Sequence, residues 1–203
     1  MASWSYDTRI NRYRDGKSGR LLSSSTVVGY RDAIVDKATT RVAELAKAVS
    51  DGTITPSDFA AELRKVTKEV YATQYSLGRG GVNALTRSDI GTLGNMLRFQ
   101  YEAIDGFTLD LQSGRIRGDA IANRASLYIE SSVEAYEQGK VASWGVETPE
   151  FIPPIHNRCR CHMTYRTENG GPVAYWTVAS DPCPTCQAMA SEYNPLVLTR
   201  KAA

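Results

Sequence analysis

All four cysteines and both histidines of this 203-residue chain fall between His156 and Cys186. That crowding limits the fold more than any other feature, because it asks one short stretch to give its thiols and imidazoles a common purpose. The stretch opens His156-Asn-Arg-Cys159-Arg-Cys161-His162, passes Gly170-Gly171 and the apolar run Val173-Ala-Tyr-Trp176, and closes Cys183-Pro-Thr-Cys186. A C-x-C pair and a C-x-x-C pair are thus separated by 21 residues. Short-spaced pairs let each of two loops bring two ligands to a tetrahedral Zn²⁺. The set offered is Cys159, Cys161, Cys183 and Cys186, with His156 or His162 able to replace one thiolate.

Other readings of the cysteines fit less well. Two disulfides would suit an exported protein, but the start Met-Ala-Ser-Trp-Ser-Tyr-Asp has no apolar signal segment. A thioredoxin-like redox pair would use Cys183 and Cys186, yet no βαβ pattern precedes it and Cys159 and Cys161 would be left over. A catalytic zinc needs an open position and a nearby carboxylate, and the only acids between His156 and Cys186 are Glu168 and Asp181. His156-Asn157 suggests an HNH nuclease, but no second His or Asn accompanies it with carboxylates for Mg²⁺. Pro182-Cys183-Pro-Thr-Cys186 matches half of a zinc-deaminase signature, whose His-x-Glu half is absent.

Upstream, the pattern is helical. Residues 1–23 lack helical periodicity, hold the turn pairs Asp15-Gly16 and Ser18-Gly19, and carry Arg9, Arg12, Arg14, Lys17 and Arg20 against Asp7 and Asp15. We expect an extended basic arm, ordered on a neighbouring subunit, that touches phosphates or an acidic surface, or else a solvated tail. The net charge of +2 is too small to make nucleic acid the main partner. Serines 23–25 then offer caps to a helix in which Val28, Val35, Val42 and Val49 recur every seven residues up to Asp51-Gly52. Thr55-Pro-Ser-Asp58 starts a second helix, with Phe59, Leu63, Val66, Val70 and Leu77 on one face and Gly78-Arg-Gly-Gly81 at its end. Thr86-Arg-Ser-Asp89 starts a third, with Ile90, Leu97, Ile104 and Leu111, closing near Gly114. A fourth runs from Gly118 to about Gly139 with Ala122, Ala125, Ile129 and Tyr136 on one side.

These patterns predict a mainly α protein: an arm over 1–23, a four-helix bundle-like domain over 24–145, and a small α+β zinc-stabilised module with a C-terminal tail over 146–203. In the module, Cys161–Arg166 and Val173–Val178 read as two strands joined at Asn169-Gly170-Gly171. No apolar run approaches the roughly 20 residues needed to cross a bilayer.

Three stretches carry a family resemblance. Tyr13-Arg-Asp-Gly-Lys-Ser-Gly-Arg20 is similar to an R-D-x-x-T-G-R-F arm. The central run Leu77-Gly-Arg-Gly-Gly81, with Thr86–Asp89, Gly91 and Leu97-Arg-Phe-Gln-Tyr101, is similar to central helices of the same proteins, and Pro153-Pro-Ile-His-Asn-Arg-Cys-Arg-Cys161 to a P-P-x-H-P-x-C-R-C signature. In these the chain resembles the minor head, or head-morphogenesis, proteins of tailed bacteriophages, the group of the Mu F protein. The family places its C-x-x-C before the signature, whereas Cys183 and Cys186 follow it here, and Asn157 stands where Pro is common.

The resemblance implies a structural virion protein of the head or neck, made in the bacterial cytoplasm. It would sit in several copies on a symmetric ring, bind portal, major capsid or connector subunits, and perform no reaction. The runner-up is a zinc-ribbon nucleic-acid binder that contacts packaged DNA through the basic arm. A metal-dependent nuclease ranks third.

Overall fold

The computed structural model describes residues 4–7 (backbone only), 12–146, 161–169, 171–180 and 182–199. Among these the helices are α1 (Ser24–Ser50), α2 (Pro56–Arg79), α3 (Arg87–Gln112), α4 (Asp119–Glu130), α5 (Val133–Ser143) and α6 (Pro184–Tyr193). The strands are β1 (Trp4–Asp7), β2 (Arg12–Asp15), β3 (His162–Glu168), β4 (Gly171–Thr177) and β5 (Leu196–Val197). The chain is mainly α, as expected. Its compact units cut across the linear partition drawn from sequence: a helical unit of Ser24–Gln74 and Thr86–Ala135, and a cysteine unit of Met1–Ser23, Tyr75–Leu85 and Tyr136–Ala203.

In the helical unit, the local signals act as read. Thr55 and Asp58 close a reciprocal cap at the start of α2: Asp58 N–H donates to Thr55 Oγ1 at 3.1 Å, and Thr55 N–H to Asp58 Oδ2 at 3.3 Å. Thr86 and Asp89 repeat the device at α3. At the other end of α1, Gly52 (φ 72°) lets Thr53 N–H reach back to Ala48 O at 2.8 Å, and Gly114 (φ 69°) does the same service after α3.

The core behind these helices contains Val42, Phe59, Leu63, Ile104, Phe107, Ala125 and Ile129, each 0 % exposed. Phe107 stands edge-on to Phe59, with centroids 5.7 Å apart, and stacks on Tyr128 at 6.0 Å. The heptad stripes run out at the amino ends of their helices. Val28 is 37 % and Ile90 64 % exposed, while Val42 and Ile104 on the same stripes are fully covered.

The fourth expected helix is two helices. Ser131 ends α4, its N–H bonded to Leu127 O and its Oγ to Tyr128 O, so the hydroxyl competes for the carbonyl ladder at the point where α5 starts anew. The same Oγ lies 2.9 Å from the Tyr71 hydroxyl. Burial pushes the Tyr71 phenol well above its ordinary value, against the lowering effect of that bond.

In the cysteine unit, β3 and β4 form the expected hairpin, with Glu168 opposite Gly171 and Asn169 (φ 51°) at the turn. β5 adds to β4, giving the order β3-β4-β5. Asn194 ties the end of α6 to the sheet: its Oδ1 accepts from Trp176 N–H at 2.6 Å and its Nδ2 donates to Trp176 O at 2.9 Å.

The outer edge of β3 is met by side chains rather than by a strand. Glu137 Oε2 accepts Tyr165 N–H at 3.2 Å, and Lys140 Nζ donates to Tyr165 O at 2.5 Å. One i, i+3 pair on α5 thereby satisfies both backbone groups of an edge residue, which protects the edge from pairing elsewhere.

Helices α2 and α5 cross at two glycines. A Cβ on Gly78 would lie 1.9 Å from Tyr136 O, and one on Gly139 would lie 2.2 Å from Tyr75 O. Each glycine faces the carbonyl of the residue three before the other, so the contact is two-fold symmetric and made by backbone. Gly78 is therefore a packing residue inside α2, and the helix ends after it, at Arg79.

Over its described part the extended arm carries two short strands. β1 and β2 pair antiparallel, from Trp4↔Asp15 to Asp7↔Arg12, and Arg14 bridges Leu21 on the other side. The Asp15–Arg20 loop accounts for the second of these contacts: its turn pairs fold the chain back so that Leu21 meets Arg14 on the free side of β2. Tyr13 fixes this hairpin to the end of α2, donating to Leu77 O at 2.6 Å, with Gly78 O at 3.1 Å. Those carbonyls belong to the last turn of α2, where partners within the helix run out.

Candidate metal centre

Two segments bring three of the four candidate thiols into one small core. Cys161 stands just before β3, and the buried positions Cys161, Met163 and Tyr165 alternate along one face of the sheet. Cys183 and Cys186 come from the start of α6. Cys186 is 0 % exposed, in a cluster with Cys161, Met163, Ala174 and Trp176, and Cys183 packs against it.

The C-x-x-C folds as it does because each residue suits a helix start. Cys183 is the N-cap with extended backbone (φ −68°, ψ 156°), and Pro184 takes the first helical position, where no N–H is needed. Cys183 Sγ accepts Cys186 N–H at 3.4 Å, as a serine or aspartate oxygen would at that place. Cys161 Sγ accepts Ala179 N–H at 3.5 Å. The three described cysteines are thiols, none in a disulfide.

The fit to a metal can be judged on these contacts. Backbone N–H groups aimed at two sulfurs are the outer contacts a thiolate ligand uses to hold its charge and direction. Among the described residues, no three His, Cys, Asp or Glu side chains converge closely enough to hold an ion. Cys159 and His156 lie outside the described residues, so the four-thiolate set of Cys159, Cys161, Cys183 and Cys186 is not complete within them.

His162 opens β3 opposite Thr177, and strand alternation turns it to the other face from Cys161 and Met163. Glu168, one of two acids considered for a catalytic role, sits at the far turn of the hairpin. It accepts the Tyr175 hydroxyl at 2.7 Å, a bond that raises the Tyr175 phenol above its ordinary value. Asp181 and Asn157 lie outside the described residues.

Three features of this region escape a reading by residue type. The Ala179 N–H donor to Cys161 has no side-chain signature. The Glu137–Lys140 pair has one, but i, i+3 opposite charges ordinarily mean a solvated helix face. Trp176 Nε1 is buried with no partner among the described residues, and nothing in the local pattern announces that. Among the described residues no helix is long and apolar enough to cross a membrane. No family model, curated protein or solved structure matches the chain.

Proposed function

We propose that this protein is a structural component of a tailed-phage virion, in the head or neck, that works by binding portal, capsid or connector subunits and has no turnover of its own. A structural zinc held by Cys159, Cys161, Cys183 and Cys186 would stabilise its cysteine unit. The observation that best supports this is the gathering of Cys161, Cys183 and Cys186 into one apolar cluster, from sites on either side of the β3–β4 hairpin. A small unit assembled from distant segments gains most from a metal, because binding free energy becomes folding free energy. The His-x-x-Cys-x-Cys signature that precedes β3 supplies the virion half of the reading.

Binding through an arm is weak for one copy and strong for several on a ring, since linked contacts raise effective concentration. The test is a protein inventory of purified virions and procapsids from the parent phage, with the chain expected in both. Deleting residues 1–23 should lower its incorporation. Absence from both particles would sink the proposal.

The DNA-binding alternative draws on the arm's charge. Arg12 donates to Leu22 O at 3.3 Å and Arg14 to Gly19 O at 3.0 Å, so these guanidiniums already serve the hairpin. Retention on DNA that falls steeply with salt would favour that alternative.

A further inference from the structure

We propose that Cys183 and Cys186 form a dithiol that closes to a disulfide by exchange with a small disulfide such as glutathione disulfide. The pair occupies the N-cap and the third helical position of α6, one turn of the same helix. Residues at that separation on a helix hold their Cβ atoms about 5–6 Å apart, beyond the roughly 3.5–4.5 Å of a disulfide, so closure needs a turn of the backbone at Cys183, which as the N-cap is extended (φ −68°, ψ 156°) and lies outside the helical ladder. The Cys186 N–H on Cys183 Sγ shows that the first sulfur is already turned over the helix end, toward the second residue.

Burial assigns the two thiols different tasks. Cys183 is half-buried, whereas Cys186 is 0 % exposed. A disulfide arriving from solvent can therefore reach Cys183 first. The Cys183 thiolate attacks one sulfur of the incoming disulfide, whose S–S bond breaks and releases one thiolate that takes up a proton. The Cys186 thiolate then attacks the Cys183 sulfur and expels the second thiolate. The two cysteines lose two protons and two electrons, and the small disulfide gains both as two thiols.

Cys161 does not compete for this role. It is 5 % exposed, and its sulfur is engaged by Ala179 N–H on the β3 side of the cluster. The local requirement of a dithiol is thus met without the βαβ framework whose absence argues, in sequence, against a redox pair. The inference uses two sulfurs also proposed for zinc, but it rests on their mutual placement and not on the metal. If both hold, closing the pair removes two ligands, and metal retention follows the thiol redox state.

The test is to equilibrate the reduced full-length chain with mixtures of glutathione and its disulfide, with and without a zinc chelator. Remaining thiols are then alkylated and peptides mapped by mass spectrometry, with zinc assayed in the same samples. In chelated wild-type protein we expect a Cys183–Cys186 disulfide and no stable glutathione adduct. Cys186→Ser should accumulate the adduct on Cys183. Cys183→Ser should slow modification of the pair about tenfold or more, because only the buried thiol remains. Cys161→Ser should still close the pair, and the wild-type peptide map decides the matter if a variant does not fold.

A bridge from either residue to Cys159 or Cys161, or no bridge at any ratio after chelation, overturns the inference. Closure in protein that never contained zinc leaves the dithiol standing and removes the metal reading. Zinc-bearing protein that fails to close after chelation removes the dithiol and leaves the metal.

Discussion

The two compact units are held by different means. The helical unit is made of two continuous stretches, and its core follows from spacing: Phe59, Leu63 and Val66 on α2, and Ile104 and Phe107 on α3, recur at three and four residues. The cysteine unit is gathered from three stretches far apart in the chain. Its joints are hydrogen bonds aimed at backbone: Tyr13 on the carbonyls of Leu77 and Gly78, Glu137 and Lys140 on Tyr165, and Asn194 on Trp176. Helices that bury a stripe tolerate many side chains of similar size. Joints that fix one carbonyl to one donor do not, and each closes a long loop at an entropic cost.

The largest break in this comparison should come from removing metal. If zinc holds the cysteine unit, a chelator should abolish its fixed tertiary structure, seen as loss of the near-ultraviolet signal of Trp144 and Trp176, while most far-ultraviolet helix signal remains. About one zinc per chain is expected in protein purified without added metal, and Cys183→Ser should lower both zinc content and stability. A folded sample with no zinc and no response to chelation would show that the unit stands on its apolar cluster and its hydrogen bonds without a metal.

Next come the glycines, which test the comparison inside single helices. Gly139→Ala should cost about 4 kcal/mol or more, because the new methyl would fall 2.2 Å from the Tyr75 carbonyl, where neither helix backbone can yield. Gly91→Ala puts a methyl into open space on α3 and should stabilise by about 0.5–1 kcal/mol. Denaturant midpoints of the two variants should therefore move in opposite directions. Similar shifts in the same direction would mean that the α2–α5 crossing is looser than its geometry.

Lys140→Met should be intermediate. It removes the donor to Tyr165 O and leaves the Glu137 carboxylate, 5 % exposed, without its cation, a loss of about 3 kcal/mol. Glu137→Gln keeps the shape and can still bond, so about 1 kcal/mol is expected. Hydrogen exchange at the Tyr165 amide should report both changes directly.

How much of this was legible in sequence follows the same division. The caps Thr55–Asp58 and Thr86–Asp89, the glycine stops at Gly52 and Gly114 and the turn at Asn169 act between residues close in the chain, and each appears where the pattern placed it, whereas Gly78 lies inside α2 as a packing residue. The split at Ser131 was hidden because apolar spacing continues across it, and what breaks the helix is a hydroxyl with better partners. The return of the chain onto β2 was hidden because the pairs Asp15-Gly16 and Ser18-Gly19 mark a turn without saying which flanks it brings together. In the cysteine unit the clustering of thiols was visible, but not which would lie together. Cys161 joins Cys186 through packing between the sheet and α6, a long-range event that no spacing encodes.

The smallest expected effect lies in the Asp15–Arg20 loop, where the comparison can be sharpened by pH. Asp15 accepts Ser18 N–H at 2.6 Å, Ser18 Oγ at 2.7 Å and Lys17 N–H at 3.1 Å. These bonds, the Ser18 amide first, hold its carboxyl below the ordinary 3.8. A carboxyl depressed in the folded state adds stability above its unfolded value and loses it as pH falls through the folded one. The loop should thus stay closed at neutral pH and open only below about pH 4, the ordinary carboxylate range. Because Asp15 is exposed, the readout is local: faster exchange of the Lys17 and Ser18 amides after correction for intrinsic rates, with the helical unit unaffected. Asp15→Asn should open the loop part-way at neutral pH and remove the acid transition, since an amide accepts more weakly than a carboxylate. If the loop amides are equally protected on both sides of that range, the Asp15 bonds do not hold the turn. The loop would then owe its closure to the backbone bonds Asp15 N–H to Arg20 O and Leu22 N–H to Tyr13 O and to the Arg12 and Arg14 guanidiniums on Leu22 O and Gly19 O, with Tyr13 still fixing β2 to the end of α2.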